Sequence, residues 1–174
     1  MKYIVTFLYT FLIISSAASA TDKQVPFGSE LQSSIKNYNR ATSTLATSGT
    51  ISTGGVKELA EKGFATIIDL RTENEGTAEE KKNVESAGMS YINIPVTAAG
   101  INHKQLAVFT KEIESAQVPI LVHCASGNRV GALWTTYRLS KGISSKIAFE
   151  EGRTAGMQPL LEEKIRTFRH YSLE

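Results

Sequence analysis

"VPILVHCASGNRVGALWTTYRLSKG" (residues 118–142) joins an apolar run, a short turn containing one glycine, and a run with helical spacing. The apolar run has strand length and no polar alternation, which reads as a strand buried on both faces. Gly127 gives the turn a residue without a side chain. The helix that follows opens near Arg129 and is closed by Gly142, with Leu133, Trp134, Tyr137 and Leu139 expected as core packing. A buried strand leading through a tight turn into a helix is the building unit of parallel sheets covered by helices. Cys124, the single cysteine of the chain, falls at the carboxyl end of that strand, where open α/β sheets bind ligands.

The same alternation extends outward. Residues 41–49 are short and Thr-rich, suggesting an edge strand, and residues 52–63 read as a helix capped by Ser52 or Thr53 and stopped by Gly63. "FATIIDL" (64–70) and "MSYINIPV" (89–96) read as further strands, with a polar helix over about 77–87 between them. Asn102 is an expected cap for a helix over 103–116 whose Leu106, Phe109 and Ile113 share a face. Two more helices are expected over 144–155 and 159–171. The fold class is therefore α/β, with a mostly parallel central sheet flanked by helices.

Residues 1–20 combine Lys2, an apolar stretch from 3 to 14 and Ala18-Ser19-Ala20, the pattern of a secretory signal peptide. Export to the periplasm or beyond the cell follows, with no stable membrane insertion after cleavage. Residues 21–34 have weak patterning and read as a loosely attached arm, leaving 35–174 as one domain. Without Lys2 the mature chain carries 18 basic and 17 acidic residues. So even a balance gives no long-range pull toward nucleic acid or an anionic surface.

A free cysteine is most often a small buried hydrophobe. Here its surroundings point further. A strand, a tight turn and a helix start gather backbone N–H groups into an anion cradle, and the same field favours a thiolate. Cys124 is thus the candidate nucleophile, and Arg129 a planar clamp for an anion's oxygens. Ala125, Ser126, Gly127, Asn128 and Val130 are the candidate binding residues, chiefly through main-chain donors. His123 is read as support for the nucleophile. Asp69 and Arg71 end a central strand on the same edge. A solvated pair is expected there, with Asp69 alternatively holding Arg129 or acting as an acid. His103 is a substitute acid or a surface residue of a first helical turn. The three histidines and the cysteine lack metal-ligand spacing, so neither metal nor cofactor is expected. The implied partner is a small anionic or phosphorylated substrate.

"VHCASGNRVGALW" resembles the active-site loop of cysteine-dependent protein phosphatases, with His-Cys, a glycine-bearing loop and an arginine at a helix start. "KELAEKGFATIIDLRTENE" is similar to the helix–strand–"DLR" segment of the dual-specificity type, and "YINIPVT" to the next strand and loop. The "IPVT" stretch and short loop resemble the phosphatase-like domain of bacterial beta-lactamase hydrolase-like proteins. The resemblance implies a thiolate hydrolase over about 37–142. Three features depart from it. Only four residues separate Cys124 from Arg129, where phosphatases have five; Val130 stands where they carry Ser or Thr; and residues 97–102 lack the aspartate expected as general acid. A four-residue loop is what rhodanese-type sulfurtransferases resemble, which hold sulfur as a cysteine persulfide. Sulfur transfer and an anion-binding module without turnover therefore stand as alternatives.

Overall fold

The computed structural model describes residues 23–31 and 34–171. The expected signal peptide lies outside them. Among the described residues there are five strands: β1 (Asn39–Arg40), β2 (Leu45–Ser48), β3 (Thr66–Asp69), β4 (Ser90–Asn93) and β5 (Ile120–His123). They form one sheet in the order β1-β2-β5-β3-β4, parallel except for β1. The helices are α1 (Gly55–Glu61), α2 (Thr77–Ser86), α3 (His103–Ser115), α4 (Asn128–Ser140), α5 (Ser145–Thr154) and α6 (Pro159–Tyr171). Among the described residues, no helix is long and apolar enough to cross a membrane.

β2, β3 and β5 are buried along their whole length, the apolar centres of β3 and β5 together with the polar Thr47, Ser48, Thr66, Asp69 and His123. Successive side chains alternate between two cores. Leu45, Ile68, Ile120 and Val122 face Phe109, Leu133 and Trp134 of α3 and α4. Ala46, Ile67 and Leu121 face Leu59, Phe64 and Val84 on the other side. Val25, Leu31 and Ile35 join that second core with exposures of 2%, 0% and 1%. Val25 and Leu31, within the expected arm, are therefore packed against this core and are not loose.

Two further expectations are corrected. β2 is internal, between β1 and β5, because residues 39–40 form the edge strand that sequence patterning did not reveal. The N-cap of α1 is Gly54, in the left-handed region at φ 86°, instead of Ser52 or Thr53. Asn102 does cap α3, accepting from Gln105 N–H while Gln105 reaches back to the Asn102 N–H.

The register sets Asp69 and Ser48 on either side of His123, so three polar residues end the three central strands together. α4 starts beyond that point and is braced by α5 through two glycines. A Cβ on Gly131 would lie 2.3 Å from the Gly152 carbonyl oxygen, and one on Gly152 would lie 1.9 Å from Thr135 Oγ1. Gly152→Ala should consequently destabilise the fold by about 1–3 kcal/mol through overpacking. Denaturant unfolding would measure the loss, and an unchanged midpoint would contradict this close helix contact.

Candidate active site

The turn after β5 owes its shape to two side chains from distant parts of the chain. Thr50 Oγ1 donates to the Ala125 carbonyl at 2.7 Å, and Asn37 Nδ2 donates to the Ser126 carbonyl at 2.8 Å. Asn37 reaches this position from a backbone at φ 52°, a conformation that asparagine tolerates better than most residues. In a trans peptide the carbonyl and the following N–H point in opposite directions. Holding these two oxygens outward therefore turns the N–H groups of Ser126 and Gly127 inward. Gly127 N–H indeed donates to Cys124 Sγ at 3.2 Å.

The back of the turn rests on the junction between α5 and α6. Gly127 has φ 90°, and a Cβ there would lie 2.3 Å from the Ala155 carbonyl oxygen. Asn128 Oδ1 accepts from Gln158 N–H at 2.8 Å. A glycine at 127 is thus demanded twice, by conformation and by space. Ala125 and Ser126 are exposed, Asn128 and Arg129 half-buried, and Cys124 fully buried.

Arg129 is fixed by a residue that the sequence did not single out. Glu75 Oε2 accepts from Arg129 Nη1 at 2.8 Å and Oε1 accepts from Nη2 at 2.7 Å, while the Val96 carbonyl accepts from Nη1 at 3.0 Å. Three of the guanidinium's five N–H bonds are used. Those remaining, Nε–H and one Nη2–H, lie on one edge and make the side-on fork suited to an oxyanion. Glu75's hydrogen bonds hold Arg129 above its ordinary pKa against the opposing effect of burial, and neighbouring Cys124 adds to the rise. Thr72 completes the pair, giving its N–H and Oγ1 to Glu75 Oε2, each at 2.8 Å. Arg129, with Thr72 assisting, pulls the Glu75 carboxyl down from 4.5 to about 2.

Beneath the turn lies a buried polar knot. Asp69 is fully buried and binds Arg71 through Nε and Nη2, with the Tyr91 hydroxyl donating to Oδ2 at 2.8 Å. Burial alone would raise the Asp69 carboxyl, but Arg71 and then His123 bring it below the usual value. Arg71 Nη2 also meets Glu80 at 2.7 Å, and Nη1 donates to the Glu75 main-chain oxygen at 3.3 Å. His123 Nε2 is 2.6 Å from Glu80 Oε1 and 3.5 Å from Asp69 Oδ1. Neither contact has the alignment of a hydrogen bond, so proximity alone links the ring to the carboxylates. Ligand atoms of Asp69, Glu80 and His123 all lie within 4.8 Å of one another, a spacing open to a metal ion. Arg71, however, already supplies the cation between both carboxylates.

Cys124, Arg129 and the 125–128 turn are brought together, with His123 at the end of β5 just before them. Val130 does not join them: it is 1% exposed and packs in the core, because the first turn of α4 points it back toward β5. Asp69 is not a solvated strand-end residue, and Arg71, not Arg129, is its partner. His103 is exposed and is not among the side chains lining the hollow at the turn. That hollow, about 270 Å³, is lined by Glu75, Ala98, Ser126, Asn128, Arg129 and Leu161. Glu75, Glu80, Asn37 and Thr50 are the residues sequence reasoning missed. Only Thr72 and Glu75 left a trace, as the Thr-x-x-Glu of a capping box.

A mostly parallel sheet flanked by helices, with a cysteine-bearing turn at its carboxyl edge, is the cysteine-based phosphatase fold. The core catalytic domain of the PP-IP phosphatase SIW14 from S. cerevisiae superposes with a TM-score of 0.65 at 21% identity, over 76% of this chain and 85% of that one. TpbA of P. aeruginosa gives 0.64 at 17%, over 85% and 91%. A candidate phosphatase from Neisseria meningitidis gives 0.64 at 26%, over 72% and 93%.

Within that class, residues 37–140 match the family "Beta-lactamase hydrolase-like protein, phosphatase-like domain", and the chain belongs to it. A beta-lactamase hydrolase-like protein of Xylella fastidiosa is 31% identical over 117 residues, 64% of this chain. The chain spans only 26% of that relative's length.

The Glu75–Arg129 pair has a pH signature. Because the Glu75 pKa is lowered on folding, its stabilisation is complete above about pH 4.5 and is lost as pH falls toward about 2. Glu75→Gln should remove that part of the acid-side decline in melting temperature. Identical acid limbs in the two proteins would mean that the pair contributes nothing to stability.

Proposed function

We propose that this protein is a cysteine-dependent phosphatase working through a cysteinyl-phosphate intermediate. The observation that carries the reading is the convergence on one small volume of Cys124 Sγ, the inward N–H groups of the turn and the open edge of Arg129. A phosphoryl group presents equatorial oxygens that such a ring of donors matches, and positioning and charge are most of what phosphoryl transfer asks of a protein. In this reading Sγ attacks phosphorus, Arg129 grips two oxygens, and the Gly127 N–H moves from sulfur toward the developing charge. Glu75 acts as a positioning residue, keeping the guanidinium turned so that its free edge faces Sγ.

Family membership favours phosphate over sulfur transfer, although the four-residue turn is one residue shorter than the phosphatase loop. Among the structural relatives, TpbA, with its cysteine replaced by serine, has been crystallised with phosphotyrosine, and the SIW14 domain with citrate. A small anionic or phosphorylated substrate is the corresponding expectation here. The leader-like residues 1–20 support an exported, periplasmic setting.

The test is chemical trapping. Wild-type protein quenched with acid during turnover of 4-nitrophenyl phosphate should carry one phosphoryl group on the peptide containing Cys124, and Cys124→Ser should carry none and be inactive. Arg129→Lys retains the charge without the planar fork and should lower kcat by about 100-fold or more, with little change in melting temperature. Faster sulfur transfer from thiosulfate to cyanide than phosphate release, with no phosphorylated Cys124, would replace this reading by the sulfurtransferase one.

A further inference from the structure

The side chains around the hollow raise the question of where the leaving group finds a proton. Of its six lining residues only Glu75 and Arg129 ionise. Arg129 stays charged, and Ser126 and Asn128 are far too weakly acidic to protonate an alkoxide. Residues 97–101, which close one side through Ala98, read Thr-Ala-Ala-Gly-Ile and contain no acid. Lys164 Nζ ties that loop to α6 by donating to the Ala98 carbonyl at 2.7 Å.

Among the described residues that line the hollow, Glu75 is therefore the one carboxyl, and its surroundings hold it in the wrong form. Both of its oxygens already accept hydrogen bonds: Oε1 from Arg129, and Oε2 from Arg129 and from the Thr72 N–H and hydroxyl. A group that must deliver a proton near neutral pH has to carry one beforehand, and this one is ionised far below that range. The other acids nearby, Asp69 and Glu80, lie under the turn in the knot with Arg71, away from the hollow.

We propose that the site selects substrates by their leaving group: aryl phosphates and phosphoanhydrides, whose oxygen departs as a stable anion, are hydrolysed without proton donation from the protein. This rests on the phosphatase reading above and sharpens its substrate class. In the first step the Cys124 thiolate forms an S–P bond as the P–O bond breaks. The bonding pair leaves on the oxygen, which takes its proton from solvent. In the second, water attacks phosphorus, the S–P pair returns to sulfur as thiolate, the water's proton passes to solvent, and inorganic phosphate is released.

The experiment is a leaving-group series on the wild-type protein: nitrophenyl, chlorophenyl and phenyl phosphate, with phosphotyrosine, inorganic pyrophosphate and phosphoserine. A general acid is worth about 10²–10⁴-fold, and most for poor leaving groups. Without one, kcat/KM should fall at least about 100-fold from nitrophenyl to phenyl phosphate. Pyrophosphate should be turned over and phosphoserine left intact. Glu75→Gln, which disturbs Arg129, should slow all substrates by a similar factor.

A flat series, or rapid phosphoserine hydrolysis, would overturn the proposal while leaving the phosphatase reading standing. So would a Glu75→Gln loss confined to the poor leaving groups, which would identify Glu75 as the acid. Absence of both turnover and phosphorylated Cys124 with every substrate would overturn the two together.

Discussion

Two hydrogen bonds that hold carbonyl oxygens away from the thiol govern the whole site. Thr50 and Asn37 take the oxygens of Ala125 and Ser126, and planarity of the peptide does the rest. Each donor sits on a different crossing of the chain. Main-chain bonds from Lys36 N–H to Thr50 O and from Gly49 N–H to Lys36 O clamp those crossings together. Ile35, buried in the second core, directly precedes the clamp residue Lys36, so this part of the described chain serves the turn as well as the core.

The charges follow a comparable logic. Arg71 and Arg129 stand on opposite sides of the Glu75 turn, one holding its main chain and the other its carboxylate. Arg71 is itself tied to Asp69 and Glu80, which approach His123, the residue before Cys124. Removing one partner from such a buried set leaves an uncompensated charge and costs far more than the intact set contributes. The polar knot thus couples the strand ends to Arg129 by way of the Glu75 turn.

The order of strands and helices, the central position of β5 and the Cys124–Arg129 turn were legible because each has a local signature. Apolar runs marked β3 and β5, a glycine marked the turn, and Asn102 marked a helix start. What was not legible depended on contacts over long sequence separation. Asn37 and Thr50 look like ordinary loop residues until the fold brings them beside Ser126 and Ala125. In the tract "TENEGTAEE" four glutamates look alike, and only the turn at Gly76 decides that Glu75 meets Arg129 while Glu80 enters the interior. Val130 misled for the opposite reason. Adjacent in sequence to the arginine, it belongs to the other face of the helix.

The family match ends at residue 140, yet the turn it contains is completed from beyond that limit. Ala155 fills the space behind Gly127, Gln158 bonds Asn128, and Leu161 forms one wall of the hollow. Phe149, Met157, Leu161 and Ile165 also cover the outer surface of α4 at Ala132. The recognisable segment and the working unit therefore have different lengths. A piece excised at the recognisable boundary would keep every residue of the Cys-to-Arg signature and lose the surface against which that signature is folded. Modularity here is a property of α5 and α6 together with the sheet, and any transplantation of this domain into another chain has to carry both helices with it.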